Sequence, residues 1–282
     1  MSFDTGDLAS SILHPTDFSS ASEVAFDHAL ALSVSTGSSL SILHIEKQTF
    51  SRSDWNSFPH VRAKLLKWGI IDHNIKREEL LSQTGIKIQK IEITSRSAVS
   101  SIVDYVDKHP VDLIVLATHG RIGLPGWLRG SVSEPVLRKC RKRTIFIPEQ
   151  VNGFINSEGR INLENIIIPV DFEPNPLPAI RYTVDFVRTY SISEKINVYI
   201  FHVGDSIKLD RIEMYSDERI KIFKEIISGN VIEEIMKKSK LINANLMVMP
   251  TSGHNGILDI LRGSTTERLL HHAECPVLAY PG

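Results

Sequence analysis

One phrase occurs twice in this sequence and constrains the fold more than any other feature. It consists of a glycine, nine further residues and then Gly-Ser, and it occupies positions 120–131 and 253–264. The surrounding sequences align without a gap over 111–148 and 244–281, and a Pro-x-Asp-Phe sequence recurs upstream in each copy. A chain of 282 residues is long enough for two domains that each bury a core. The sequence therefore predicts two copies of one domain.

Short β-rich runs alternate with stretches of helical periodicity, a pattern typical of parallel βαβ construction. In the first half a helix is expected to begin at a capping box, Ser20-Ala-Ser-Glu23, and to end at Gly37. Strands are predicted at 12–14, 40–45, 86–93, 113–116 and 144–147. In the second half strands are predicted at 166–168, 198–201, 220–227, 246–249 and 277–280, and helices at 179–187 and 231–241.

The predicted fold class is α/β, with two tandem open five-stranded parallel-sheet domains that are Rossmann-like and pack as an internal pseudo-dimer. We place the first domain at 1–150 and the second at 151–282. The second copy is shorter between its second and third strands, where much of a helix is expected to be lost. Residues 149–162 contain few apolar side chains, so we predict an exposed linker there.

Composition narrows the function classes. The net charge is -1, which gives no general reason to expect nucleic acid or an anionic membrane as the main partner. The two cysteines, Cys140 and Cys275, do not form a C-x-x-C pair, so neither a disulfide framework nor a zinc ribbon is supported. The sequence lacks a signal peptide pattern and a run of about 20 apolar residues. We expect a cytoplasmic protein whose partner is a small ligand or another protein.

The repeated glycines suggest a phosphate site. In an open parallel sheet, ligands bind beyond the carboxyl ends of the strands, and both Asp17 and the glycine phrase follow strands. Glycine lets backbone amides approach an anion closely. The helix predicted after Gly130-Ser131 favours phosphate at its amino end. Asp17 is a candidate hydrogen-bond acceptor for a ribose or base. For a lone glycine pair, tight turns and a helix cap would be the better explanation. Duplication of the whole frame favours binding.

With these residues in place, the chain resembles a tandem member of the universal stress protein family, over nearly its whole length. The nucleotide-binding branch of that family carries Gly-x2-Gly-x9-Gly-Ser/Thr. The resemblance implies an adenine nucleotide alpha-hydrolase-like fold. It also implies ATP or another adenine nucleotide as cofactor, and leaves open whether Mg²⁺ binds with it. It implies contacts from Pro15, Thr16, Asp17, Ile45, Ala117, Thr118, His119, Gly120, Gly130, Ser131 and Val132 in the first copy. The corresponding positions of the second copy are Pro169, Val170, Asp171, Val203, Gly253, Gly263, Ser264 and Thr265.

Two departures from the family motif make the sites unequal. The leading glycine is Ala117 in the first copy, which adds one methyl group, and Pro250 in the second, which fixes φ and removes an amide donor. Three further prolines crowd the loop after Asp171. We therefore expect nucleotide binding mainly in the first copy.

Other polar residues receive weaker interpretations. His44 and His202 end equivalent strands, but no second ligand at metal-like spacing accompanies them, so histidines hydrogen-bonded within the fold are expected and no metal site is predicted. Arg129 and Arg262 precede Gly-Ser in both copies and are equally consistent with phosphate binding and with solvated charges. The basic run 138–143 occupies a predicted helix end, where cations complement the helix dipole.

Three function classes stay open at this point. The first is a regulatory or stress-response protein that binds a nucleotide and hydrolyses it slowly at most, because neither a Walker lysine motif nor an evident base is present. The second is a protein-interaction module with vestigial sites. The third is an enzyme on a related fold, although His-x-Gly-His and Ser-Gly-Gly-x-Asp-Ser patterns are missing from the sequence. No catalytic residue is assigned, the protein partner is unknown, and a further homodimer is left open.

Overall fold

The computed structural model describes residues 9–46, 55–76, 79–118, 132–149, 151, 153–205, 215–251 and 273–281. Its strands are β1 Ser11–Thr16, β2 Ser39–Glu46, β3 Ile88–Thr94, β4 Leu113–Thr118, β5 Arg143–Pro148, β6 Asn165–Pro169, β7 Ile196–Val203, β8 Ile220–Ile227, β9 Leu246–Thr251 and β10 Val277–Pro281. Its helices are α1 Ser20–Thr36, α2 Val61–Lys67, α3 Leu80–Thr84, α4 Ala98–Lys108, α5 Ser133–Cys140, α6 Leu177–Tyr190 and α7 Val231–Leu241.

The ten strands form one sheet in the order β3-β2-β1-β4-β5-β10-β9-β6-β7-β8. Each half contributes five parallel strands in the same order, which confirms the predicted α/β class. The halves meet where β5 and β10 pair antiparallel, with Ile145 opposite Leu278. The Arg143 guanidinium lies over the Tyr182 ring, 4.4 Å from its centroid, and so links β5 to α6 across the junction. The internal dimer is therefore a continuous sheet.

Helices cover both faces of the sheet, and each face has one apolar cluster. The face covered by α1, α2 and α6, here called the α1 face, carries a cluster that runs through both halves and includes Phe26 and Leu30 of α1 together with Val184 of α6. The opposite face, here called the α4 face, is covered by α4, α5 and α7, and its cluster includes Ile102, Val136 and Ile235.

Helix α1 is positioned by caps at both ends. The hydroxyl of Ser19 accepts a hydrogen bond from the Ser22 amide, so the amino cap is Ser19. The predicted capping box that starts at Ser20 is therefore wrong by one residue; Glu23 lies in the first turn but does not occupy the box position. Gly37 ends the helix as predicted, with φ of 67°, a left-handed conformation that glycine adopts without strain.

The segment between the copies is packed against the first half, which corrects the prediction of an exposed linker. Ile155 and Ile161 form an antiparallel bridge, and the side chains of Phe154 and Ile161 are buried. His28 Nε2 accepts a hydrogen bond from the Phe154 amide at 3.1 Å, and the two rings meet edge to face. The segment contributes apolar side chains to the α1-face cluster despite its polar composition.

The two halves differ most between their second and third strands. In the first half, positions 47–87 separate β2 from β3 and include α2 and α3, whereas positions 204–219 separate β7 from β8. The domain boundary near residue 150 stays a prediction. Among the described helices, none is long and apolar enough to cross a membrane.

Candidate functional site

The carboxyl ends of β1, β2 and β4 lie side by side at one edge of the first half. β1 is flanked by β2 and β4, and Thr16 at the end of β1 lies opposite His44 of β2. Strands β2 and β3 are added on one side of β1, and β4 and β5 on the other. The strand order therefore reverses between β1 and β4. Ligands of open α/β sheets bind outside such a point. The fold therefore brings Asp17, Ile45 and Thr118 to the same edge.

Several of the predicted nucleotide contacts lie on the α4 face. Ile45 of β2 and Val132, which precedes α5, are both partly buried against the α4-face cluster. Because side chains alternate along a strand, Pro15 and Thr118 belong to the same face as Leu13 and Leu116 of that cluster. Pro15, Ile45 and Val132 therefore place apolar side chains on this face near the end of β1.

Two of the predicted contacts belong to the opposite face. Ala117 is partly buried against the α1-face cluster. The Thr16 hydroxyl accepts hydrogen bonds from the Phe18 amide and from the Ser22 hydroxyl of α1. The side chains of Ala117 and Thr16 therefore lie on the opposite face of the sheet from Ile45. On the α4 face, Thr16 can contribute only its backbone.

Asp17 follows β1 directly and is held by the turn into α1. Its Oδ1 accepts hydrogen bonds from the Ser19 amide at 3.1 Å and from the Ser19 hydroxyl at 2.6 Å. The same Ser19 hydroxyl caps the helix, so the carboxylate and the helix terminus are fixed together. Asp17 remains exposed to solvent. An oriented and exposed carboxylate at this edge is suited to accept hydrogen bonds from a hydroxyl or amino group.

The buried side chain of His14 lies next to the turn that holds Asp17 and connects the strands beneath it to α1. His14 Nδ1 donates to the Val115 carbonyl at 3.0 Å, and Nε2 lies 3.4 Å from the Ser22 hydroxyl. Burial lowers the pKa of His14 to about 4, so the ring is neutral near pH 7. The network ties β1, β4 and α1 together beneath Asp17. Sequence analysis did not single out His14; its only signal is a polar residue inside an apolar strand.

The phosphate side of the predicted site is described only in part. Helix α5 begins at Ser133, Val132 precedes it, and no side chain of the described residues caps this end with a hydrogen bond. The amino end of a helix at the carboxyl edge of a parallel sheet is a place where anions bind. The predicted contacts His119, Gly120, Gly130 and Ser131, together with Arg129, lie outside the described residues.

The second half repeats the same edge with different surroundings. β6 is flanked by β7 and β9, and Val203 is partly buried against the α4-face cluster as Ile45 is. Asp171 Oδ1 accepts a hydrogen bond from the Phe172 amide at 2.8 Å. Helix α6 starts after Pro176 without a side-chain cap. Pro169 ends β6, and Val170, the next residue, is buried. The predicted contacts Gly253, Gly263, Ser264 and Thr265, together with Arg262, lie outside the described residues.

The paired histidines at the ends of β2 and β7 have structural roles. His44 Nδ1 donates to the Thr16 carbonyl at 2.8 Å, and His202 Nδ1 donates to the Val170 carbonyl at 2.9 Å. Each ring thus ties the second strand of its half to the end of the first, which agrees with the prediction that these histidines are hydrogen-bonded within the fold. The described part of the chain contains no group of three or more histidine, cysteine or acidic residues that could hold a metal ion.

An aromatic group lies next to Asp17 and was not predicted from the sequence. Phe18 has φ of 63° and stacks on His44, with the two ring centroids 4.0 Å apart. Phe18 and Phe58 pack in a T-shaped arrangement, with their ring centroids 5.2 Å apart. The group lies on the α1 face, behind the predicted nucleotide contacts. A signal was available, since phenylalanine follows the aspartate in both copies. In the second half Phe172 meets His202 edge to face at 5.8 Å and is 65% exposed.

Comparison with known proteins finds one family. The model of the universal stress protein family matches residues 9–148 and again residues 162–281. The chain is 29% identical over 153 residues to universal stress protein MJ0577 of Methanocaldococcus jannaschii, which covers 48% of this chain and 93% of the relative.

Solved structures of similar fold span both halves. A universal stress protein from Archaeoglobus fulgidus DSM 4304 superposes with a TM-score of 0.63 at 20% identity, covering 95% of each chain. A putative universal stress protein from Pseudomonas aeruginosa UCBPP-PA14 gives a TM-score of 0.60 at 17% identity, covering 99% of this chain and 95% of the other. At these identities the similarity is one of fold.

Proposed function

Because this chain belongs to the universal stress protein family and carries its domain twice, we propose that it binds ATP or another adenine nucleotide as a regulatory protein of the stress response. The nucleotide is held mainly by the first half. Its presence or absence biases the conformation of the chain or its choice of a protein partner. Any hydrolysis is slow.

The observation that carries this proposal is the arrangement around Asp17. The solvent-exposed Asp17 carboxylate is fixed by two hydrogen bonds from Ser19 and follows β1 directly, at the point where the strand order reverses. Partly buried Ile45 and Val132 lie on the α4 face of the same edge. An adenosine needs this combination, an apolar surface for the base and an acceptor for the ribose hydroxyls. The amino end of α5 follows Val132 and suits the phosphates.

The first half is the better site for two reasons. Its α1 helix begins at a serine whose hydroxyl also holds Asp17, whereas α6 begins after Pro176 without such a cap. Ala117 retains a backbone amide that Pro250 lacks, and Pro250 pairs with Tyr280 of β10 in the sheet. Any Mg²⁺ that accompanies the nucleotide is proposed to be bound by its phosphates.

A second candidate is an interaction module without nucleotide. Pro250 favours it for the second half, because a proline at the leading position of the glycine motif removes a phosphate contact. For either candidate we propose a cytoplasmic location. Cys140 and Cys275 are free and buried, as expected for thiols in a reducing compartment.

Titration of the purified chain with ATP by isothermal titration calorimetry tests the proposal. Asp17→Ala removes an ionised acceptor and should weaken binding about 10-fold to 100-fold, the usual cost of losing hydrogen bonds to a charged group. Asp171→Ala, the same change at the equivalent position of the second half, is the matched control and should leave the main binding event intact. Both variants should keep the circular dichroism spectrum of the parent.

The outcomes separate the candidates. A folded chain that binds no adenine nucleotide at millimolar concentration would contradict the proposal and leave the interaction module. An equal loss of affinity in the two variants would contradict the assignment to the first half. Rapid multiple turnover of ATP would contradict a regulatory role without efficient catalysis.

A further inference from the structure

The first half shows how the fold holds an aromatic side chain above the ends of its first three strands. On the α1 face, Phe18 stacks on His44, and His44 lies opposite Glu92 of β3; these three residues are here called the first row. Phe58 lies over the first row, with its ring centroid 5.2 Å from that of Phe18 and 6.2 Å from that of His44. Lys90 Nζ lies 5.7 Å from the Phe58 centroid. In this setting Phe58 is only 1% exposed.

The second half has an equivalent row that faces solvent. Phe172 meets His202 edge to face with ring centroids 5.8 Å apart, and His202 lies opposite Ile226 of β8; these three residues are here called the second row. Among the described residues, no further ring packs on it. Phe172 is 65% exposed and Ile226 is 39% exposed. The second row therefore presents two large apolar side chains in one exposed patch.

The difference between the rows arises in the connection from the second strand to the third. In the first half this connection covers positions 47–87 and supplies Phe58 shortly before α2. In the second half it covers positions 204–219, and its described residues include no helix equivalent to α2. Residues 206–214 lie outside the described residues.

The second row keeps the features that hold the ring in the first half. Lys224 precedes Ile226 by two positions on β8, as Lys90 precedes Glu92 on β3, so both lysines lie on the α1 face of the sheet. Lys224 is exposed. The replacement of the glutamate by Ile226 makes the second row more apolar than the first. An aromatic ring would therefore find an apolar surface and a lysine cation here, as Phe58 does in the first half.

The segment that covers the first row indicates what kind of occupant fits the second. Residues 55–60 read Trp-Asn-Ser-Phe-Pro-His, and the Trp55 ring stacks on Phe58 with centroids 5.2 Å apart. A short segment with one aromatic side chain is thus sufficient to bury the row. In a second copy of this chain Phe58 is already buried on its own first row, so it is not available to fill this place.

We propose that the second row is a docking site for a short segment of another protein, and that an aromatic side chain of this segment packs against Phe172 and Ile226 with Lys224 at its ring. The inference goes beyond nucleotide binding. The second row lies on the α1 face of the second half, whereas Ile45 and Val132 of the proposed nucleotide site lie on the α4 face of the first.

An acetylated and amidated peptide with the sequence of residues 55–60 is the probe, because this segment covers the equivalent row. It carries 4-fluorophenylalanine in place of its phenylalanine, and fluorine NMR follows its binding to the full chain in the absence of nucleotide. We expect saturable binding with a Kd on the order of 1 mM, the scale for burial of one aromatic side chain. The unlabelled peptide should displace the probe, and the same peptide with alanine in place of phenylalanine should compete at least about 10-fold more weakly.

Four variants test the location. Phe172→Ser should weaken binding at least about 5-fold, whereas Ile192→Ser, which removes a 52% exposed apolar side chain elsewhere in the second half, should leave it unchanged. Lys224→Met should weaken binding about 3-fold, because the ring loses its cation. Lys221→Met changes an exposed lysine of the same strand that lies on the opposite face, and should have no effect. All four changes affect exposed side chains, and circular dichroism verifies that each variant is folded.

Several results would overturn the proposal. These are no saturable binding at about 10 mM peptide, equal competition by the alanine peptide, and the same affinity in Phe172→Ser as in Ile192→Ser. Self-association of the parent chain in sedimentation velocity that Phe172→Ser abolishes would also overturn it, by assigning the second row to a second copy. Because the titrations contain no nucleotide and change no residue of the proposed nucleotide site, failure of the ATP proposal leaves this test intact.

Discussion

At the scale of single residues, His28 shows how a buried polar side chain fixes the segment between the two halves. Its Nδ1 donates to the Val24 carbonyl at 2.7 Å within α1, and its Nε2 accepts from the Phe154 amide at 3.1 Å. Both roles require the neutral ring with its proton on Nδ1. Burial lowers the pKa of His28 to about 4, as it does for His14. Protonation therefore opposes the folded state at two points of the first half.

This arrangement predicts a loss of stability in mild acid. Between the unfolded pKa of 6.5 and the folded pKa of about 4 the unfolded chain binds more protons, so the free energy of unfolding falls as pH decreases through this window. The loss should approach about 3 kcal/mol for each of His14 and His28 and level off below pH 4. Urea unfolding at a series of pH values measures it. His28→Gln should reduce the slope and His73→Gln, a change on the surface, should not; identical slopes in the two variants would refute the assignment.

Gly153 is a second residue whose identity the fold demands. It has φ of 70°, and a Cβ placed on it would lie 1.9 Å from His28 Nε2. Gly153→Ala should lower the free energy of unfolding by about 3 kcal/mol, because it adds backbone strain and displaces a buried hydrogen-bond partner. Gly69 has φ of 69° with no atom within 4 Å of such a Cβ, so Gly69→Ala should cost only the backbone strain, about 1 kcal/mol. Equal losses in chemical denaturation would mean that the contact with His28 contributes nothing.

At the scale of elements, the start of α1 couples helix stability to the proposed nucleotide site. The Ser19 hydroxyl accepts from the Ser22 amide and donates to Asp17 Oδ1. Helix α4 has a cap of the same kind, in which the Ser97 hydroxyl accepts from the Ser100 amide. The two helices therefore provide a matched pair of serine caps, of which only the cap of α1 also holds the Asp17 carboxylate.

We expect Ser19→Ala and Ser97→Ala to lower the free energy of unfolding by a similar amount, about 1 kcal/mol, the usual value of a serine cap. Only Ser19→Ala should also weaken ATP binding, by about 5-fold, because the Asp17 carboxylate loses one of the bonds that orient it. Thermal unfolding and calorimetric titration of both variants give the two quantities. An equal effect of both variants on ATP affinity would indicate a general loss of stability instead of a local tether.

Elements with a strong period were predictable from the sequence, and elements held by single contacts were not. The apolar run of β4 and the regular face of α7 were both placed correctly. The cap of α1 was misplaced because serines at 19, 20 and 22 offer three similar candidates. The segment after β5 was misjudged because its few apolar side chains are buried and its hydrogen bond goes to His28, far away in the sequence. For the site, the edge that gathers Asp17 and Ile45 followed from topology, whereas the opposed directions of Thr16 and Ile45 required the strand register.

At the scale of the whole molecule, the antiparallel pairing of β5 with β10 joins the two halves into one sheet. Duplication alone predicts two similar halves, but it does not specify which edges meet. Here the last strand of each half closes the edge of the other, which removes two unpaired edges from the molecule. The α1-face cluster then continues without interruption from Phe26 to Val184.

A continuous core predicts that the two halves unfold together. All three tryptophans, at positions 55, 68 and 127, belong to the first half, so their fluorescence reports on that half alone, while far-ultraviolet circular dichroism reports on both. The two signals should give coincident urea transitions. Ile200→Ala in β7, a fully buried site of the second half, should lower the free energy of unfolding by about 2–5 kcal/mol and shift the tryptophan signal by the same amount as the dichroism. A tryptophan transition that stayed in place while the dichroism became biphasic would contradict this prediction. The halves would then be independent domains, and the pairing of β5 with β10 would only orient one half relative to the other.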